Sequence, residues 1–436
     1  MTDAATVRLW GNEIGAVALD ERTGVAAFQY TPEFAHSGIE VSPLVMPLAD
    51  RVYSFPELSF RSYHGLPGLL ADSLPDRFGN VLIDAWLASR GRAAGSLNPV
   101  ERLCYTGSRG MGALEYVPAM GPRVGTQHQI KVDALVELAS EILSSRNHLS
   151  VSFATSSRKR ALSDILRVGT SAGGARAKAV VAWNPETGEV RSGQVEAGDG
   201  FEYWILKFDG VRGNKDRELE DPAGYGLIEY AYFLMARDCG INMSECRLME
   251  EGGRQHFMTR RFDRLDGGGK IHMQSLGALA HFDFNDPGAY SYEQAFQVMR
   301  RLGLGVTASE ELYRRMVFNI IGRNQDDHVK NIALLMDRSG RWQLSPAFDM
   351  TYAYNPTGAY TSRHQMTMNL KQDDFTLEDF RACAKNAMLK RGRAEAIVAG
   401  TQSVLARWRD YAEIVGVDPE HRERIYSTLR LSPFSR

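Results

Sequence analysis

The stretch Phe318-Asn319-Ile320-Ile321-Gly322-Arg323-Asn324-Gln325-Asp326-Asp327-His328-Val329-Lys330-Asn331, followed by Pro346-Ala347-Phe348-Asp349, decides how this chain is read. It holds an aspartate, an asparagine five residues on, and a second aspartate beyond a short apolar hairpin. Phosphoryl transfer needs a carboxylate to take the acceptor hydroxyl's proton and hard oxygen ligands to hold magnesium on the phosphates. The apolar run 332–336, the turn Asp337-Arg338-Ser339-Gly340 and the strand Trp342-Gln343-Leu344 fold Asp349 back towards Asn331. Capping helices and turns is the commoner work of Asp and Asn. Here, however, Asp326-Asp327-His328 crowds charge beside the apolar helix end 316–321, which costs stability unless a metal or ligand offsets it. Asp326 is therefore read as base or hydroxyl-orienting residue, with Asn331 and Asp349 as magnesium ligands. Asp327 is not expected to be catalytic. His328 and Lys330 order the loop or contact phosphate, with an ordering role favoured for His328.

Outward from this loop, two further segments fit the same chemistry. Gly169-Thr170-Ser171-Ala172-Gly173-Gly174-Ala175-Arg176-Ala177-Lys178 leads into a strand, and glycines let backbone amides approach phosphate oxygens without a Cβ clash. By itself the segment reads equally well as a surface loop. Phe201-Glu202-Tyr203-Trp204-Ile205-Leu206-Lys207-Phe208 is a strand with one lysine among apolar residues. Such a lysine often lays its stem over apolar surface, but a buried ammonium demands an anionic partner. Glu229, on the helix expected over 227–237, is a candidate partner and equally reads as part of a solvated helix face.

The 436 residues exceed one ordinary core, so two or three domains are expected. A net charge of −2 argues against a general polyanion binder. Four cysteines without framework or metal-ligand spacing suit a reducing cytoplasm, and no apolar run reaches membrane-spanning length. The start of the chain shows no basic region followed by an apolar stretch, so no signal peptide is expected. Residues 7–30 alternate as a hairpin turning at 20–24. Helices are expected over 78–88, 132–144, 227–237, 292–302, 308–321, 376–386 and 393–415, and a second hairpin over 176–183 and 190–195. The proline- and glycine-containing segment 118–129 is the best boundary.

Asn-x-Asp-Asp-His-x-Lys-Asn with Leu-Ser-Pro-x-Phe-Asp resembles the signature of the HipA family, serine/threonine-kinase toxins of bacterial toxin–antitoxin pairs. The Asp-to-Asn spacing also equals that of the protein-kinase catalytic loop. Leu66-Pro67-Gly68-Leu69-Leu70-Ala71-Asp72-Ser73-Leu74-Pro75-Asp76-Arg77-Phe78-Gly79 resembles the family's N-terminal motif, the segment 169–178 its glycine-rich loop, and Arg261-Phe262-Asp263-Arg264 its hinge. The resemblance implies an α+β fold: a two-lobed, protein-kinase-like (phosphatidylinositol-kinase-like) core, with an N-terminal α/β subdomain (1–120), a strand-rich lobe (121–258) and a mostly helical lobe (259–436). It implies ATP and Mg2+ as cofactors, held by Gly173, Gly174, Ala175, Lys178, Lys207, Arg260, Phe262, His328, Lys330 and Asn331, with Asp349 on the metal. This chain carries Arg260 where some relatives place an acidic residue. Arg264 also reads as one half of a simple Arg/Asp salt bridge.

Ser171 matches the family's autophosphorylation site, with Thr170 and Ser163 as alternative acceptors. Further implications are a protein substrate such as an aminoacyl-tRNA synthetase, a small helix-turn-helix antitoxin, DNA bound through that antitoxin, no membrane, and a cytoplasmic location. Competing classes are an inactive nucleotide-binding scaffold or repressor subunit, a kinase of a small-molecule or lipid acceptor, and, more remotely, a metal-dependent nuclease built on the 326–331 loop.

Overall fold

Alternating burial sets the first sheet. In the computed structural model, which describes residues 2–121, 129–144, 165, 166, 168, 176–211, 224–265 and 267–435, β1 (Ala4–Leu9) buries Ala5, Val7 and Leu9 while the residues between them face outward. With β2 (Asn12–Asp20), β3 (Val25–Tyr30), β4 (Val52–Ser54) and β5 (Leu114–Val117) it forms a sheet of order β4-β3-β2-β1-β5. The hairpin expected over 7–30 is thus a three-strand meander. Its first turn, at Trp10 (φ 49°) and Gly11 (φ 82°), escaped the reading because Trp gives no turn signal.

A second sheet, of order β7-β6-β8-β10-β9, contains β6 (Lys178–Trp183), β7 (Val190–Ser192), β8 (Glu202–Lys207), β9 (Cys246–Glu251) and β10 (Arg254–Arg260). Its face bearing Ala179, Val181, Trp204 and Leu206 packs against the helices Arg77–Ser89 and Val132–Ser144, through Phe78, Leu82, Leu135 and Ala139. Both helices lie where the apolar periodicity put them.

The chain groups into two compact units: residues 1–223, 249–274 and 336–340, and residues 224–248, 275–335 and 341–436. Both sheets belong to the first apart from the opening residues of β9, with β11 (His272–Ser275) near its end. The second is mostly helical. It holds Tyr225–Asp238, Tyr292–Arg301, Val306–Ile321, Leu377–Asn386, Arg393–Leu405, Trp408–Val415 and Pro419–Thr428, and the hairpin of β12 (Ala333–Met336) and β13 (Trp342–Leu344). The single helix expected over 393–415 breaks at Ala406–Arg407. The break turns Trp408 fully inward, edge-on to Tyr232 at 5.4 Å, with its Nε1 donating to Arg422 O at 2.8 Å. Burial of one large aromatic overrides helix continuity there. The four cysteines are buried and none is in a disulfide bond, and no described helix is long and apolar enough to cross a membrane.

Candidate active site

The helix Val306–Ile321 ends at Gly322, whose carbonyl accepts from Tyr232 Oη at 2.7 Å. The chain then turns through Arg323 (φ 55°) into the loop carrying Asp326. Asn331 Nδ2 donates to Asp326 O at 2.8 Å, and Asn331 N donates to His328 O at 2.8 Å. An amide has one donating and one accepting end, so this bond fixes Asn331 with Oδ1 as the end available to a cation. The five-residue spacing therefore closes a small ring between Asp326 and Asn331. His328 Nε2 lies 3.9 Å from Asp326 Oδ1. Phe284 meets the His328 ring edge-on at 5.9 Å and takes Lys330 Nζ over its face at 4.4 Å, which orders the loop's two basic side chains.

The neighbour of Asp326 does the anchoring. Asp327 is buried, accepting from Tyr292 Oη at 2.8 Å, Gln365 N at 2.8 Å and His364 Nδ1 at 2.9 Å. Arg430 Nη1 meets His364 Nε2 at 2.9 Å; since arginine only donates, Nε2 accepts and Nδ1 carries the proton towards Asp327. Burial alone would raise the Asp327 pKa, but His364, Tyr292 and the Gln365 amide outweigh it and hold the carboxyl below its ordinary value of 3.8. Gln365 serves both aspartates, its side-chain Nε2 reaching Asp326 Oδ1 at 3.4 Å. Arg430 Nη1 also donates to Ile320 O at 2.8 Å, tying the chain's last turn to the helix that delivers the loop. Tyr292, His364, Gln365 and Arg430 were not found from the sequence, and the isolated segment Arg363-His364-Gln365-Met366 carries no signal that would have found them.

Asp349 sits at φ 56°, a left-handed conformation that Asp and Asn tolerate better than other side chains and that recurs at functional positions. The preceding segment is pinned by Ala347 N to Asn242 O at 2.7 Å, Ser244 N to Ala347 O at 3.0 Å and Ser345 N to Ala333 O at 3.0 Å. Arg315 Nη2 adds a bond to Ser345 O at 2.8 Å. Asn331 and Asp349 offer oxygen donors of the kind magnesium takes while keeping waters and phosphate oxygens as its other ligands. Among the described residues no group of three or more His, Cys, Asp or Glu side chains could hold a metal by itself. Glu229, on Tyr225–Asp238, is 2% exposed, so the solvated-face reading is wrong.

In the first unit, Lys207 ends β8, opposite Lys178 of β6 and Phe257 of β10, with its Nζ 5.6 Å from the Phe257 ring centroid. Lys178 is buried, its Nζ 3.7 Å from Asp76 Oδ2. Ser163, Gly169, Thr170, Ser171, Gly173, Gly174 and Ala175 lie outside the described residues.

At the end of β10, Arg260 pairs with Glu202 at 3.5 Å and Phe262 is half-buried. Beside them Asp263 is fully buried between Arg261, bound through both carboxylate oxygens at 2.9 and 2.8 Å, and Arg264 at 2.7 Å. Gly112 N donates to the same carboxylate at 2.7 Å. Gly112 has φ +72°, and a Cβ there would come within 2.9 Å of Met273 N, so glycine is required for that approach. Burial would raise the Asp263 pKa, but the two guanidiniums hold it far below the carboxylate range. Burial draws Arg264 down to about 10. The simple Arg/Asp pairing for Arg264 is the arrangement found.

Residues 5–117 match the family model of the HipA N-terminal domain, and residues 170–408 that of the HipA-like C-terminal domain. A putative kinase of Sinorhizobium fredii, Y4mE, is 27% identical over 142 residues, 30% of this chain and 34% of that protein. The chain thus spans about a third of the length of this curated relative. Among solved structures, HipA of the Shewanella oneidensis toxin–antitoxin system, determined with HipB and its operator DNA, superposes with a TM-score of 0.67 at 17% identity, over 97% of this chain and 94% of that one. That likeness shows a shared α+β fold. The Helicobacter pylori proinflammatory kinase CtkA matches 52% of this chain and 84% of its own at 11% identity, with a TM-score of 0.31, too low to support any shared feature.

Proposed function

The chain belongs to the HipA family, and on that premise we propose that it is an ATP- and Mg2+-dependent serine/threonine protein kinase acting as the toxin of a toxin–antitoxin pair. The observation that carries this reading is the ring closed by Asn331 on Asp326, with the buried Asp327 holding the loop from behind. Asp326 takes the acceptor hydroxyl's proton, or orients that hydroxyl. Asn331 and Asp349 supply oxygens to magnesium, which when bound neutralises charge on the phosphates. Lys207 and Lys178 compensate phosphate charge, while Lys330 and His328 order the loop and flank the phosphates. Arg260 and Phe262 lie at the adenine end. The kinase reading is supported by the putative kinase among the relatives. The toxin reading is supported by the toxin–antitoxin system to which the solved relative belongs. A small helix-turn-helix antitoxin would be the partner, with DNA reached through it, and an aminoacyl-tRNA synthetase is the substrate class the resemblance implies.

Purified full-chain protein should transfer the γ-phosphate of ATP to serine only when Mg2+ is present. Asp326→Asn should lower the rate by about two to four orders of magnitude, the contribution of a positioned general base. Equal rates for the two proteins would remove Asp326 from the mechanism. Autophosphorylation is assigned to Ser171: a phosphate there adds close to two negative charges to a loop that should wrap the nucleotide phosphates. Peptide mapping should find the mark on Ser171, and the modified protein should bind ATP more weakly than the unmodified one.

A further inference from the structure

The helix Val306–Ile321 delivers the Asp326 loop, and a helix leaves its last carbonyls without partners of its own. One residue takes two of them: Arg430 N donates to Ile321 O at 3.1 Å and Arg430 Nη1 to Ile320 O at 2.8 Å. The same Nη1 donates to His364 Nε2 at 2.9 Å, so both of its hydrogens are committed. Nη2 donates to Asp373 Oδ1. Acceptors from three segments thus share one planar fork, which a single ammonium does not match in geometry. Phe375 braces the pair, edge-on to His364 at 5.7 Å and with its ring centroid 5.4 Å from the guanidinium. Burial draws the Arg430 pKa down to about 10, so at neutral pH it remains a cation at a helix C-terminus, where the helix dipole favours one.

Beyond His364 the series of bonds continues to the catalytic loop. A ring nitrogen that accepts from arginine carries no proton, so the His364 proton sits on Nδ1, 2.9 Å from Asp327 Oδ2. His364 and Asp327 are both buried, and the tautomer of a histidine is set by the bond its other nitrogen makes. Asp327 adjoins Asp326, and Gln365, next to His364, bonds to both aspartates. We propose that Arg430 is a positioning residue for phosphoryl transfer: by capping the helix and fixing the His364 tautomer, it sets the register of the loop that presents Asp326. This rests on the kinase reading given above. Arg430 acts through His364 and Asp327, and its removal is felt at the reacting group as a small displacement of the loop.

Nitrogen NMR of the histidine rings in the full chain reads the first half of this without any activity. His364, identified among the ten histidines by the signal that His364→Gln removes, should carry a proton on Nδ1 and none on Nε2. A proton on Nε2 in the wild type, in the other tautomer or as imidazolium, would overturn the proposal. Arg430→Met removes the donor and should leave His364 in a mixture of the two tautomers. Its kcat should fall about tenfold while its KM for ATP stays within about twofold of wild type, because the loop and not the nucleotide has lost its register. Arg430→Lys, which also only donates, should restore the Nδ1 tautomer and recover part of the rate. In an Asp327→Asn background, adding Arg430→Met should cost less than about twofold, because the two residues act along one series of bonds. A full tenfold loss there, or an Arg430→Met protein that melts lower but turns over like wild type, would reduce Arg430 to a structural tether and refute its positioning role. Should Arg430→Met fail to fold, Arg430→Lys decides: a proton on Nε2 together with wild-type turnover would refute that role as well. A wild type that transfers no phosphate while His364 carries its proton on Nδ1 would defeat the kinase reading itself, and this inference with it.

Discussion

Two buried carboxylates, one in each unit, show opposite ways of holding an aspartate in a functional segment. Asp263, beside the hinge-like strand end, is clamped by two guanidiniums and a backbone amide. Asp327, beside the candidate base, is held by a tyrosine, a histidine and a backbone amide, and only the far side of that histidine meets an arginine. Both pKa values lie below the ordinary one. The first is stabilised by two guanidinium charges, the second by donors arranged in one tautomer. The difference teaches what each is for. A doubly clamped carboxylate fixes a strand end to the loop at Gly110–Gly112, with Arg264 donating to Gly110 O and Gly112 O at 2.9 and 3.1 Å. A hydrogen-bonded one orients the residue next to it.

Breaking the first should have the largest effect on stability. Asp263→Ala leaves two guanidiniums buried without their carboxylate, and losing one partner of a buried pair typically costs about 3–5 kcal/mol. The thermal transition should fall by many degrees, or the protein should fail to accumulate. A variant as stable as wild type would show that the arginines find other acceptors and that the clamp is dispensable.

Asp327→Asn should separate from it by acting on rate more than on fold. The amide keeps the volume and one acceptor but presents a donor to one of three donors, so the loop loses its register beside Asp326. Phosphoryl transfer should fall by about 10- to 100-fold, in line with the sensitivity of catalysis to small misplacements. The melting temperature should drop far less than in Asp263→Ala. Activity equal to wild type would reduce Asp327 to packing. Glutamine in place of His364 offers a sharper version, since it can donate to Asp327 without an aromatic ring.

How much of this was legible follows from sequence distance. The Asp326–Asn331 pairing was readable because its bond spans five residues of one loop, and the hairpin before Asp349 because its apolar run, turn and second strand are contiguous. The Arg261–Asp263–Arg264 clamp was readable as a salt bridge for the same reason, although its seat against Gly112 lies 151 residues away. The partners of Asp327 come from 35, 37 and 38 positions off, and although the helix bearing Tyr292 was expected, nothing in it or in the segment 363–366 marks a partner of Asp327. Lys207 was legible as an odd lysine in an apolar strand. That Lys178 faces it was not, because register across β6–β8 is set by turns and core packing that a single strand does not reveal. The helix after Asp76 was legible, but the ion pair of Asp76 with Lys178 was not.

The smallest expected effect concerns acid. A carboxyl whose folded pKa lies below its unfolded value contributes stability that is present above the unfolded pKa and is lost as pH falls through the folded one. For Asp327 the unfolded value is near 3.8 and the folded value lower, so its contribution is intact at neutral pH and drains away only below about pH 4. Asp327→Asn has no such proton to take up on unfolding. Its unfolding free energy, measured by denaturant at steps between about pH 5 and pH 3, should therefore fall less steeply with acid than that of wild type. The sign is fixed by hydrogen bonding to the ionised form. A steeper or identical slope would mean that Asp327 sits protonated in its pocket and donates to one of its neighbours. Were that neighbour His364, its Nε2 would carry the proton and the Arg430–His364 bond would be lost, because arginine only donates, and the contrast with Asp263 would collapse.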